Sequence, residues 1–227
     1  MTTSLPLHAE FLLLAHDDET GRPLVDGTHL KAGLAGAAIS ELALQGALEL
    51  EGEGRSARLH ATGHAVAPEL EEALQRADGQ APKNAVARVG GAQSWRDRAG
   101  PLESATLAQL ESSGIGVRDE ETVLGVYHRK VWREKDPSVE REIVGRVRRA
   151  LFESGNPEPR TAVLVSLLGA TGLLRKLFPD EDKGLLRART KELSAGGWGG
   201  DAVRQTIQEI QTAVIAAVIA GGGAAAR

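Results

Sequence analysis

The stretch Gly33-Leu34-Ala35-Gly36-Ala37-Ala38-Ile39-Ser40-Glu41-Leu42-Ala43-Leu44-Gln45-Gly46-Ala47-Leu48-Glu49-Leu50 decides the fold. Gly or Ala fills most positions of its first two turns, so a second backbone can approach closely, and the helix is built for burial. Leu30, Leu34, Ala37, Ala38, Ile39 and Leu42 keep helical spacing, which extends the helix back to about His29. Gly46 reads as the residue that stops it. Residues 47–53 and 57–62 then flank Gly52, Gly54 and Ser56 and predict a short β-hairpin.

Working outward, Pro6 in an apolar run, with Ser4 as N-cap, predicts a first helix to about His16. Asp17-Asp18-Glu19-Thr20-Gly21 ends it in a turn, with the Asp17 side chain bonding nearby backbone amides. Pro68 opens a helix to about Ala77, Lys83 begins another that Gly90-Gly91 stops, and 101–113 forms one that ends at Gly114. Residues 117–132, centred on Val123-Leu124-Gly125-Val126-Tyr127, hold few helix formers and read as a second hairpin. Pro137-Ser138 starts a helix to about Ser154, and Asn156-Pro157-Glu158-Pro159 breaks the chain. Three further helices are expected over 160–178, 182–193 and 201–220. The expected fold is mainly α: a single compact helical domain over 1–220, with a buried small-residue helix, one or two short β-hairpins and a flexible tail at 221–227.

The composition agrees. The 227 residues are 41% hydrophobic but only 3% aromatic, so Leu, Val, Ile and Ala must fill the core, which favours helix-on-helix packing. The absence of cysteine excludes disulfides, thiolate metal sites and a cysteine nucleophile. The N-terminus lacks the basic region and cleavage site of a secretory leader, and no apolar run approaches the roughly 20 residues of a spanning helix. Any membrane contact is therefore expected to be peripheral. The net charge of −4 is uneven: residues 1–117 carry 9 basic against 16 acidic groups, the remainder 18 against 15. Eight basic residues fall between Arg129 and Arg149 against four acidic ones, a local excess that suits an anionic surface.

Catalysis is not expected. The chain has no Walker A loop and no Gly-x-Ser-x-Gly elbow. His60 and His64 stand four apart, but Thr62-Gly63 places them at a strand end, with no third ligand to complete a metal site. No cofactor is implied. Asp17, Asp18 and Glu19 read as a solvated turn rather than an acid–base pair.

Several separated motifs together resemble the Golgi phosphoprotein 3 family, in the order that family shows. They are Glu10-Phe11-Leu12-Leu13-Leu14 with Asp17-Asp18, the 34–48 helix and strand, Gly114, Pro159-Arg160-Thr161-Ala162 through Leu173-Leu174, and Ala202-Val203 with Ala213-Val214. The resemblance implies a mostly helical domain with a membrane-facing hairpin that binds phosphatidylinositol 4-phosphate and, in eukaryotes, helps retain Golgi glycosyltransferases. It places Val123, Leu124, Val126 and Tyr127 at the membrane-inserting hairpin, followed by the cations Arg129, Lys130 and Arg133. The richness in Ala, Gly and Arg suggests a bacterial member.

The head-group positions depart from the family. Its lipid-contacting Trp and first Arg fall on Asp26 and Ala35, and its later Arg pair on Gly100 and Glu103. A phosphate needs charge-assisted donors, best a bidentate Arg fork, and none of these four residues offers one. Lys31, Arg96 and Arg98 are candidate substitutes, with Trp95 as a flat apolar wall. These residues fit loosely specific binding to anionic lipid better than recognition of one phosphoinositide.

Two rival readings differ in class. The basic 141–149 face suits a soluble adaptor for partner-protein tails, and a homo-oligomer is compatible with either role. A winged-helix DNA-binding protein would need a basic recognition helix, yet 35–45 and 105–113 contain no Lys or Arg. No nucleic-acid partner is therefore expected. The favoured localisation is cytoplasmic, on the cytoplasmic face of a membrane.

Overall fold

Asp26 starts the central helix α2, Gly27–Leu44, by accepting hydrogen bonds from the amides of Thr28 at 2.9 Å and His29 at 3.2 Å. The computed structural model describes residues 5–91, 100–123, 127–153, 155–195 and 201–222. Every residue of α2 from Ala32 to Ala43 is buried, as the small-residue pattern requires. Gln45 closes the helix and Gly46 follows at φ +72°, in the left-handed region that glycine tolerates. Strands β1, Leu48–Glu51, and β2, Arg58–Ala61, pair antiparallel as the first hairpin.

Helices α1, Leu7–Leu14; α3, Pro68–Ala77; α4, Pro82–Val89; α7, Pro159–Thr171; and α10, Asp201–Gly222, all pack on α2. Two glycines admit them. A Cβ at Gly33 would collide with the Phe11 ring and lie 2.7 Å from Thr171 Cγ2, and one at Gly36 would collide with Val214. The core therefore closes on backbone at these points. Leu34, Ile39 and Leu42 are fully enclosed, each worth about 1.5–3 kcal/mol of apolar burial.

The remaining helices are α5, Gly100–Ser112; α6, Pro137–Phe152; α8, Leu174–Leu177; and α9, Lys183–Ala195. The second hairpin consists of β3, Gly116–Val123, and β4, Tyr127–Glu134. Proline sits in the first turn of α3, α4, α6 and α7, where its missing N–H leaves no hydrogen bond unmade.

Three details differ from the sequence reading. The helix expected over 160–178 is two, α7 and α8, because Gly172 turns left-handed at φ +81°. Ser4 lies outside the described residues, and α1 has no local side-chain cap; the Leu7 amide instead donates to Glu41 Oε2 at 2.6 Å. Helix α10 continues to Gly222, into the segment expected to be a tail, and 223–227 lie outside the described residues.

Two carboxylates on the first two helices are buried. Glu41 receives the Arg160 guanidinium, with Nη1 donating to Oε2 at 2.7 Å and Nη2 to Oε1 at 2.9 Å. Glu10, 1% exposed, receives Arg146 Nη2 at 2.6 Å. Side chains on α6 and α7 thus reach back to the first two helices.

Candidate functional site

Strands β3 and β4 form an unbroken antiparallel ribbon, from the Gly116–Glu134 pair to the Val123–Tyr127 pair. Alternation along eight residues per strand gives it a length of about 27 Å. Among the described residues, α5 is the one helix against which the ribbon packs substantially. Leu124, Gly125 and Val126, the expected apolar tip, lie outside the described residues, between the paired Val123 and Tyr127. Arg129 and Lys130 belong to β4, opposite Glu121 and Glu120 in the register.

The foot of the ribbon is fastened to the body. Trp132 is 4% exposed, and its indole lies against Gly116, where a Cβ would collide with the ring. Its ring centroid is 6.1 Å from that of His16. Gly21, at φ +62°, brings the 17–21 turn onto the Trp132 backbone so closely that a Cβ there would collide with the carbonyl oxygen. The turn itself is built as expected, with Asp17 Oδ1 accepting from the Thr20 amide at 2.8 Å and the Thr20 hydroxyl at 2.7 Å. Arg133 Nη1 donates to the Glu19 carbonyl at 3.0 Å, so this cation helps tie the ribbon to the turn.

Three carboxylates meet at the same foot. Asp18, Glu134 and Glu140 offer oxygens within 4.8 Å of one another, the one such group among the described residues that could share a cation. Burial, then the Asp18 charge, pushes Glu134 up to about 7. Burial, then a hydrogen bond to Asp18 and the charges of Asp18 and Glu134, pushes Glu140 up to about 8. Proton sharing relieves this crowding at neutral pH.

The other candidate residues are not assembled into a site by what is described. Lys31 lies on α2, half-buried, and its carbonyl faces Gly90. Segment 92–99 follows directly after Gly91, but Trp95, Arg96 and Arg98 lie outside the described residues. Ala35, which takes the place of the family's first Arg, is 1% exposed and also adjoins Gly90. The basic 129–149 stretch is thinner than its sequence suggests. Arg146 is committed to Glu10, Arg148 pairs with Glu181 at 3.0 Å and covers the Phe152 ring, and Arg141 Nε donates to the Pro137 carbonyl.

Sequence reasoning missed a second basic region. A groove of about 990 Å³ opens between α7, α9 and α10, and Arg175, Lys176, Lys183, Arg187 and Lys191 line it. The spacing of Lys183, Arg187 and Lys191 at every fourth position was the available signal, since it puts them on one face of a helix.

A helical body built round a buried small-residue helix, with a long β-ribbon fastened at its foot, defines a mainly α domain that carries two β-hairpins. The chain belongs to the Golgi phosphoprotein 3 (GPP34) family, whose model matches residues 7–210. No curated protein matches it. Among the described residues, no helix is long and apolar enough to cross a membrane.

Proposed function

We propose that the protein is a non-enzymatic peripheral binder of anionic lipid surfaces, contacting them through the end of the β3–β4 ribbon. The observation that carries this reading is the ribbon itself: eight paired residues per strand, anchored at the foot by Trp132 and Arg133, with Val123 and Tyr127 as the last described pair. By sequence, Val123, Leu124, Val126 and Tyr127 are apolar residues around the turn of the hairpin, and apolar surface buried at the head-group boundary is worth roughly 25 cal/mol per Å². Arg129 and Lys130 follow in the sequence, each adding about 1 kcal/mol near an anionic surface.

Phosphatidylinositol 4-phosphate is the ligand the family resemblance implies, and Lys31, Trp95, Arg96 and Arg98 are the residues offered for its head group. Asp26, Ala35, Gly100 and Glu103 favour a looser preference for negative charge. Co-sedimentation with neutral vesicles, general anionic vesicles, and phosphatidylinositol 4-phosphate vesicles of matched charge tests the reading. Equal binding to both anionic sets is expected. Selective binding to the last would give the head group a specific pocket, and binding to neither anionic set would overturn the membrane role.

A further inference from the structure

The chain carries excess negative charge, and most of the arginines whose contacts are described are spoken for: Arg160 by Glu41, Arg146 by Glu10, Arg148 by Glu181, Arg189 by Glu192, Arg204 by Asp201 and Arg76 by Glu72. The groove between α7, α9 and α10 is the opposite case. Its five exposed cations, Arg175, Lys176, Lys183, Arg187 and Lys191, make no side-chain ion pair or hydrogen bond among the described residues. The one carboxylate in the lining, Asp26, is already occupied: it caps α2 and stands 2.6 Å from His29 Nδ1. Five like charges around one concavity repel each other unless an anion joins them.

The interior of the groove adds a second, independent sign. Gln211 lines it, is 5% exposed, and its amide nitrogen has no hydrogen-bond partner among the described residues. A buried amide N–H left unpaired is destabilising, a deficit that an acceptor oxygen entering the groove would remove. The neighbouring hydroxyls of Ser166, Thr190, Ser194 and Thr212 each donate to a carbonyl of their own helix, and none of them accepts from the Gln211 amide nitrogen. Leu174, Leu186 and Ile215 add apolar side chains to the same lining, the last 46% exposed. Gly169 also lines the groove, and a Cβ there would come within 2.7 Å of Thr190 Cγ2, so α7 and α9 approach closely at this point.

We propose that this groove is a binding site for an amphiphilic phosphate ester, its phosphate held by the cations of α8 and α9, an oxygen of its neck by the Gln211 amide, and its aliphatic body by Leu174, Leu186 and Ile215. A phosphate dianion matches a row of cations better than a lone carboxylate does, through shorter charge-assisted hydrogen bonds. The volume is that of an ordinary small-ligand site. Neither Lys31, Ala35, Gly90 nor any ribbon residue lines the groove, and of the positions that match the family's head-group residues only Asp26 does. The assignment goes beyond the membrane reading and does not depend on it.

Calorimetric titration of the full chain with octyl phosphate tests the proposal, alongside inorganic phosphate, the neutral amphiphile octyl glucoside and a glutamate-rich peptide. Octyl phosphate should bind saturably, with inorganic phosphate and octyl glucoside each weaker by about tenfold or more, since each satisfies half the site. The exposed double substitution Arg187→Gln with Lys191→Gln should weaken octyl phosphate by about tenfold. Gln211→Leu should weaken it several-fold while leaving the unliganded melting temperature unchanged or higher, which a purely structural glutamine would not do. Vesicles of phosphatidylcholine with phosphatidic acid identify the source: a loss of vesicle binding in the Arg187/Lys191 variant marks a membrane lipid, and retained vesicle binding marks a soluble ester. No saturable octyl phosphate binding, equal affinity for inorganic phosphate, unchanged binding in the variants, or binding of the glutamate-rich peptide in its place would each overturn the proposal.

Discussion

Arg160 and Glu41, 119 residues apart, meet through a two-pronged guanidinium–carboxylate fork whose carboxylate also accepts the Leu7 amide. One side chain thereby joins α1, α2 and α7. Burial disfavours the Glu41 charge, but the bonds from Arg160 and Leu7 outweigh it and hold its carboxyl below the ordinary 4.5.

Removing one partner leaves the other buried and unpaired. Arg160→Met is expected to cost about 3–5 kcal/mol by urea denaturation at neutral pH. Pairing it with Glu41→Leu should recover a large part of that loss. Because the folded carboxyl has the lower pKa, the contribution is full above pH 4.5 and lost as pH falls through the folded value, so the double variant should show a shallower acid transition.

Gly33 is the tightest approach on α2 that a side chain would disturb. Gly33→Ala forces a methyl into the Phe11 ring and against Thr171, for an expected loss of about 1–3 kcal/mol or more. Gly27→Ala is the control, since nothing stands within 4 Å of a Cβ there. A control as destabilised as Gly33→Ala would remove the packing argument.

His8 is wholly buried, and neither ring nitrogen has a hydrogen-bond partner among the described residues. Burial pushes its pKa down from 6.5 to about 4. Between those values the unfolded chain takes up a proton that the folded one refuses, so stability rises with pH across that window, by roughly 3 kcal/mol in all. His8→Leu should abolish that slope and leave the protein at least as stable at neutral pH.

The carboxylates at the foot of the ribbon slope the other way. Glu134 and Glu140 titrate near 7 and 8 in the folded chain, against an ordinary 4.5, so the folded state holds the extra protons and stability falls as pH rises across that range. Glu140→Gln should flatten the decline in melting temperature between pH 5 and about pH 8. An unchanged profile would mean that the three groups do not interact.

Val123→Asp with Leu124→Asp is expected to abolish sedimentation with anionic vesicles at an unchanged melting temperature, because charge at the head-group boundary opposes insertion. Unfolding of this variant would show that these residues belong to the core.

Most element boundaries were legible because they are enforced locally. Pro68, Pro82, Pro137 and Pro159 each open a helix, and Gly46 and Gly114 end one at positive φ. Gly172 obeys the same rule but sits inside an apolar run, which hid the break between α7 and α8. The ion pairs were not legible: Glu10 lies 136 residues from Arg146, and a charged residue read one segment at a time is assigned to water. The hairpin at 117–132 was foreseen in place, whereas the groove escaped because its cations come from two helices and its buried Gln211 from a third.

The capping of α1 by Glu41 also bears on how the chain matures during synthesis. An eight-residue helix without a cap of its own has little stability in isolation. The carboxylate that caps it is buried, and its charge is compensated only when Arg160 arrives. Helix α1 is therefore among the last elements to settle, and nascent chains ending before residue 160 should keep it open to protease or chaperone.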